Sequence, residues 1–268
     1  MTIISTFKHI GTLSLDCDCD TGTDLSRNAL AHCVDKMTIT HLEISSHRTV
    51  LPVTRRLQEV VDTHALQTAT VRQPLDEGTQ ALLRSAPALD SLSYTVFGTA
   101  PLFPSPLALR FLNLSFFMEF DALTSPTPDQ PHAEWHSMLQ HLRALQLPDL
   151  RELSVTILLE EGDYFPPSEV EDPPQATFAD ALAAHIQKNW DWVSLKVTLD
   201  RYPTLKKLKI VVLADDEWGS VTRIVPYLAC AGQVVHDIAE RSFGGERGRC
   251  LEVVAEHRWY GDVYHHFP

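Results

Sequence analysis

The sequence predicts an α/β fold: a solenoid of stacked strand-and-helix units, irregular in period, with one curved, mostly parallel sheet and helices on its outer face. Three observations predict it. A short phrase, apolar-x-x-Leu-x-apolar, recurs as Ile10/Leu13/Leu15, Ile39/Leu42/Ile44, Leu89/Leu92/Tyr94, Leu109/Leu112/Leu114, Leu150/Leu153/Val155, Leu205/Leu208/Ile210 and, without its first member, Leu251/Val253. Proline stands two residues before the first leucine in three copies (Pro87, Pro148, Pro203), and Pro106 lies one place earlier in a fourth. Between the copies, apolar residues recur at helical spacing. A unit of this kind cannot bury its apolar face alone, so repetition dictates stacking.

Each element follows from local chemistry. In the first strand, Thr12 to Cys19, alternation turns Leu13, Leu15, Cys17 and Cys19 inward and Ser14, Asp16, Asp18 and Asp20 outward. Residues 25–36 read as a helix behind a Thr23/Asp24 cap, with Leu30, Cys33 and Val34 on one stripe. A helix opening at Pro52 carries Leu57, Val60 and Val61, and one opening at Pro74 carries Leu82 and Leu83. A strand over residues 66–71 (LQTATV) divides the long gap between Leu42 and Leu92. Residues 132–145 place Trp135, Met138, Leu139 and Leu142 along one helical stripe. Residues 178–190 and 192–199 form a helix pair, and residues 221–228 and 234–239 two more segments with a bend at Pro226. Proline biases the residue before it away from the helix, which ends one element and launches the next strand. Strands alternating with helices of this length imply parallel pairing with right-handed crossovers.

The whole chain, residues 1–268, reads as a single domain. Residues 159–177 (LEEGDYFPPSEVEDPPQAT) are acidic and proline-rich, and read as a mobile insertion within it; residues 124–131 are a shorter one. The net charge of −13 argues against nucleic-acid or anionic-membrane partners, which need a basic surface. No segment reads as a signal peptide or a membrane span. Five unframed cysteines fit a reducing compartment, hence a cytoplasmic or nuclear location.

Chemical motifs carry little. Residues 16–24 (DCDCDTGTD) imitate a calcium loop, yet its sixth and twelfth places hold Thr21 and Arg27 where glycine and glutamate are required. Cys17, Cys19, His32 and Cys33 lack the second Cys-x-x-Cys of a zinc site. In His132-Ala133-Glu134-Trp135-His136 the glutamate is displaced from its place in the zincin order. Residues 243–250 (FGGERGRC) lack the Lys-Ser/Thr ending of a phosphate loop and read as a turn before the last strand. The expectation is a protein without catalytic, cofactor-binding or metal-binding residues. An α/β enzyme on a doubly wound sheet and a metal-binding protein remain as alternatives.

Residues 190–212 (WDWVSLKVTLDRYPTLKKLKIVV) resemble the leucine-rich-repeat-like C-terminal regions of fungal F-box-type proteins, and residues 147–158 (LPDLRELSVTIL) and 85–97 (SAPALDSLSYTVF) share that style. The resemblance implies an irregular leucine-rich-repeat-like solenoid that recruits the substrate of a ubiquitin ligase. In that family a separate F-box docks onto a Skp-type adaptor. No F-box is recognisable in this chain, so a repeat-only scaffold without the ligase link is the other expectation. In either case the partner is a protein. The candidate binding face is the outward row of the strands: Asp16, Asp18, Glu43, Ser93, Asn113, Ser154, Lys209, Val211 and Glu252.

Overall fold

Three of the prolines that precede a repeat leucine, Pro87, Pro148 and Pro203, each occupy the second position of a hydrogen-bonded β-turn. Leu89 N donates to Ala86 O at 3.2 Å, Leu150 N to Leu147 O at 3.3 Å and Leu205 N to Tyr202 O at 3.1 Å, with Pro87, Pro148 and Pro203 next to the acceptors. Proline suits that position because its ring presets φ near about −65° and it has no N–H to leave unbonded. Leu66 N closes the same turn onto Thr63 O at 3.1 Å, with His64 in the proline place. Both ends of the three proline turns are buried, so the turn itself is anchored in the core.

The structure is a computed structural model that describes residues 9–16, 36–45, 61–72, 75, 77–97, 107–119, 133–160, 174–215, 224–243 and 250–258. Its strands are β1 (His9–Asp16), β2 (Met37–Ser45), β3 (Val61–Asp62), β4 (Thr68–Arg72), β5 (Ser91–Thr95), β6 (Phe111–Glu119), β7 (Glu152–Glu160), β8 (Lys207–Asp215) and β9 (Cys250–Arg258). The helices are α1 (Glu77–Arg84), α2 (Ala133–Ala144), α3 (Gln175–Asn189), α4 (Trp192–Leu199) and α5 (Val225–Phe243). The chain is α/β, with a nine-stranded sheet in the order β1-β2-β4-β5-β6-β7-β8-β9 and β3 beside β2. Strand order thus follows chain order, as a repeated strand-and-helix unit requires. The pairs β1–β2, β2–β3, β2–β4, β4–β5, β7–β8 and β8–β9 are parallel.

Two compact units divide the chain: residues 1–113 with 140–151, and residues 114–139 with 152–268. In the first, a backbone ladder joins the strand starts. Gln67 N donates to Thr40 O (2.9 Å), Asp90 N to Gln67 O (2.8 Å), Arg110 N to Asp90 O (2.9 Å) and Arg151 N to Arg110 O (2.9 Å). Thr40, Asp90, Arg110 and Arg151 directly follow the first apolar residue of a repeat, and Gln67 follows Leu66 at the equivalent place before β4. Units of unequal length are therefore set in one hydrogen-bond register. Ile39, Leu42, Ile44, Leu66, Val71, Leu92 and Tyr94 are all buried on the core side, as are Leu82 and Leu83 of α1. Burying such a side chain stabilises the fold by about 1.5–3 kcal/mol. The phenol of Tyr94 meets Nδ1 of buried His141 at 3.1 Å, which gives both polar groups a partner inside the core.

The second unit repeats the arrangement. Leu153, Val155, Leu208, Ile210 and Val212 are buried, and Cys250 N donates to Lys206 O at 2.8 Å at the start of β9. Helix α4 starts where the Asp191 carboxylate accepts from Ser194 N at 2.8 Å, satisfying one of the N–H groups that a helix end leaves open. Helix α3 buries Phe178, Leu182 and Ile186, and its Phe178 ring lies 5.0 Å from that of Tyr227 in α5. An aromatic cluster fills the rest. Trp135 and Trp190 stack with centroids 4.4 Å apart and planes 7° from parallel. Phe116 sets its edge against both, and Trp192 leans on both from 5.3 and 5.6 Å.

Gly232 lies where α5 crosses β9. A Cβ there would stand 2.8 Å from Ala255 Cβ, closer than side chains approach one another. Gly232→Val is expected to lower stability by about 1–3 kcal/mol, since overpacking must push helix and strand apart. An unchanged urea midpoint would show that the crossing is looser than this.

Several expectations are corrected. Val61 forms strand β3, paired with Met37, and not part of a helix; Thr63–Ala65 follow as a 3-10 turn. One helix, α5, replaces the two segments bent at Pro226, because that proline falls in the first turn, where no intrahelical N–H bond is lost. The acidic insertion is shorter than 159–177: Leu159 and Glu160 end β7, and Gln175 begins α3. Glycine-rich residues 244–249, residues 124–131 and, of the helix expected over 25–36, all but Lys36 lie outside the described residues.

Candidate interaction surface

Parallel register assembles the outward residues into rows. In the first unit, Ser14 pairs with Glu43, Glu43 with Thr70 and Thr70 with Ser93. Asn113 of β6 then donates from Nδ2 to Ser93 Oγ at 2.9 Å. Strands about 4.8 Å apart place these side chains at a fixed pitch. A second row holds Thr12, His41, Thr68 and Ser91, in which His41 Nδ1 and Thr68 Oγ1 hydrogen-bond. Arg72 reaches Glu43 at 3.4 Å, and Arg110 grips Asp90 through two guanidinium nitrogens, Nε to Oδ1, and Nη2 to Oδ2 at 2.8 Å. That bidentate bond, and attraction to the same carboxylate, raise the Arg110 pKa further. The face is rich in hydroxyl and amide groups, with its charges held by cross-strand partners.

In the second unit, Ser154 pairs with Lys209, and Lys209 with Glu252. Lys207 Nζ lies between two carboxylates, 2.7 Å from Glu252 Oε2 and 3.7 Å from Glu152 Oε1, while Lys209 reaches Glu256 at 3.7 Å. The hydrogen bond between Lys207 and Glu252 holds the carboxyl below the usual carboxylate range and pushes the ammonium above the usual lysine range. The signs give a window. The lowered Glu252 contributes stability above the ordinary carboxylate range, lost as pH falls through its folded value; the raised Lys207 contributes below the ordinary lysine range, lost as pH rises through its folded value. Lys207→Met is therefore expected to lower the melting temperature most near neutral pH, less at both extremes, and less in high salt because the pair is partly open to solvent. A pH-independent difference would remove the ion pair as its cause.

Further along the strands this face changes character. Thr156, Val211, Leu158 and Leu213 are buried (Leu213 1 % exposed, Val211 5 %), and half-buried Phe117 packs against the last three. Val211, one of the outward row that the alternation of the strands predicts, has its side chain withdrawn from solvent instead. Glu43, Ser93, Asn113, Ser154, Lys209 and Glu252 are half-buried in their rows. Asp16 ends β1 in register with Ser45, while Asp18 lies outside the described residues. Register also adds residues that sequence reading left out: Thr68, Thr70 and Arg72 of β4, and Glu152 and Lys207. Alternation along residues 66–72 carries the signal for the first three.

Among the described residues no group of three or more His, Cys, Asp or Glu could hold a metal ion. The expected calcium and zinc candidates, residues 16–24 and Cys17, Cys19, His32 and Cys33, fall almost wholly outside them, as do His132, His265 and His266. Cys230 donates to Gln175 O at 3.7 Å, and burial pushes its thiol up, away from the thiolate needed for nucleophilic chemistry. No described helix is long and apolar enough to cross a membrane. No protein-family model matches the chain, and neither a curated protein nor a solved structure matches it with significance.

Proposed function

We infer that this chain is a protein-interaction module that reads its partner through the outward rows of its strands. The observation that carries the reading is the shared register: Ser14, Glu43, Thr70, Ser93 and Asn113 in one unit, and Ser154, Lys209 and Glu252 in the other, form rows rather than scattered positions. Rows of short polar side chains on regular backbone lose little entropy when a partner docks. The finer architecture is the irregular leucine-rich-repeat-like solenoid, supported by sequential strand order and by the same turn before successive strands. Its most concrete role is the substrate-recruiting region of an F-box-type ubiquitin ligase receptor, working in the cytoplasm or nucleus. The resemblance of residues 85–97, 147–158 and 190–212 to that family supports this, and each of the three includes one of the proline turns.

Affinity capture of the native protein from its own cells tests the reading, with Glu43→Lys and Lys209→Glu variants run beside it. Partners retained by wild type and lost by a variant would support the face. Recovery of a Skp-type adaptor and a cullin would support the ligase role, and partners without them would favour a repeat-only scaffold. A partner list unchanged by both variants would overturn the face as the binding surface.

A further inference from the structure

Strand β9 closes the strand order, and its one described neighbour is β8, with which it pairs in parallel over all nine residues. It differs from the inner strands in exposure. Where β7 and β8 bury their apolar residues, every residue of β9 keeps part of its surface in solvent, including Leu251, Val253 and Val254. The strand contains neither proline nor glycine to discourage a further strand. The other terminal strand, β1, carries Gly11 and exposed Thr12 and Ser14, a poorer template for pairing. The β9 carboxylates are drawn inward, Glu252 to Lys207 and Glu256 to Lys209. Arg258 is exposed at the end of the strand, in register with Asp215 of β8.

These features select an occupant. A second copy meeting β9 about a two-fold axis normal to the sheet pairs antiparallel and keeps outward faces together, so even-numbered residues oppose even-numbered ones. Centred on Val254, the pairing would set Glu252 against Glu256 twice, a like-charge clash. Centred on Ala255, it sets Glu252 against Arg258 twice and Val254 against Glu256. Opposite charges directly across an antiparallel pair are favourable and like charges are not. We propose that the chain forms a homodimer through antiparallel β9–β9 pairing centred on Ala255, with reciprocal Glu252–Arg258 ion pairs fixing the register. The pairing uses the strand edge and shares Glu252 with the partner-binding row.

Sedimentation of the full chain from about 1 to about 100 µM tests it, the upper limit marking weak but specific association. Wild type is expected to dimerise within that range. Arg258→Glu is expected to weaken the dimer by roughly tenfold or more, and the Glu252→Arg/Arg258→Glu double variant to restore it. Arg258 is exposed, so Arg258→Glu alone should melt as wild type does, while the double variant also removes the Lys207–Glu252 ion pair and is expected to melt lower. Amide exchange of wild-type β9 should also slow with protein concentration, a readout that needs no variant. A monomer throughout the range, exchange indifferent to concentration, or a dimer untouched by Arg258→Glu would each overturn the proposal.

Discussion

Replacing Trp135 with alanine is expected to destabilise the protein by about 3–5 kcal/mol, the cost of removing a large buried aromatic side chain. Trp135 is 1 % exposed and holds the centre of the aromatic cluster, stacked on Trp190 at 4.4 Å and touched by Phe116 and Trp192. Its loss leaves a cavity bounded by rings on separate elements: strand β6, helix α4 and the residue that ends α3. Trp135→Phe should cost far less, because the indole N–H has no hydrogen-bond partner among the described residues to lose. Equilibrium urea denaturation gives both values. The circular-dichroism couplet of the stacked indoles should vanish in both variants. A cost below about 1.5 kcal/mol for Trp135→Ala would mean that the surrounding rings repack into the space left.

Leu213→Ala is the second. By strand alternation Leu213 shares a face with Lys207 and Lys209, and an exposed leucine there would change stability by no more than about 0.5 kcal/mol. The side chain is instead 1 % exposed and packs with Leu158, Val211 and Phe117, so the expected loss is about 2–5 kcal/mol. Val193→Ala, on a helical residue 74 % exposed, is the control and should be close to neutral. Equal, small effects at both positions would return the whole second face to solvent and reopen Val211 as a contact for a partner.

The repeat leucines were legible because their information is local. Leu89, Leu92 and Tyr94, or Leu150, Leu153 and Val155, sit at spacings that a turn followed by a strand imposes on adjacent residues, and all are buried. Helix α2 was legible for the same reason, through Trp135, Met138, Leu139 and Leu142. The candidate surface was half legible. Alternation names which residues face outward, but it does not tell which neighbour each will meet. Lys207 lies far in sequence from both Glu152 and Glu252, and only strand register brings the three together. Val61 went wrong by the same logic: a short β-branched segment takes its conformation from whatever strand is alongside, here Met37 and Thr38.

The sequence by itself determined the α/β class, the recurring strands, helix α2 and the core side of the sheet. Each rests on periodicity or on the backbone restrictions of single residues, which act over a few positions of chain. Only the tertiary structure decided that Leu158, Val211 and Leu213 are buried on the opposite side, that Gly232 must lack a side chain where α5 meets Ala255, and which charges hold one another across strands. Those outcomes depend on distances between segments remote in sequence, and burial and Coulomb attraction are set by such distances.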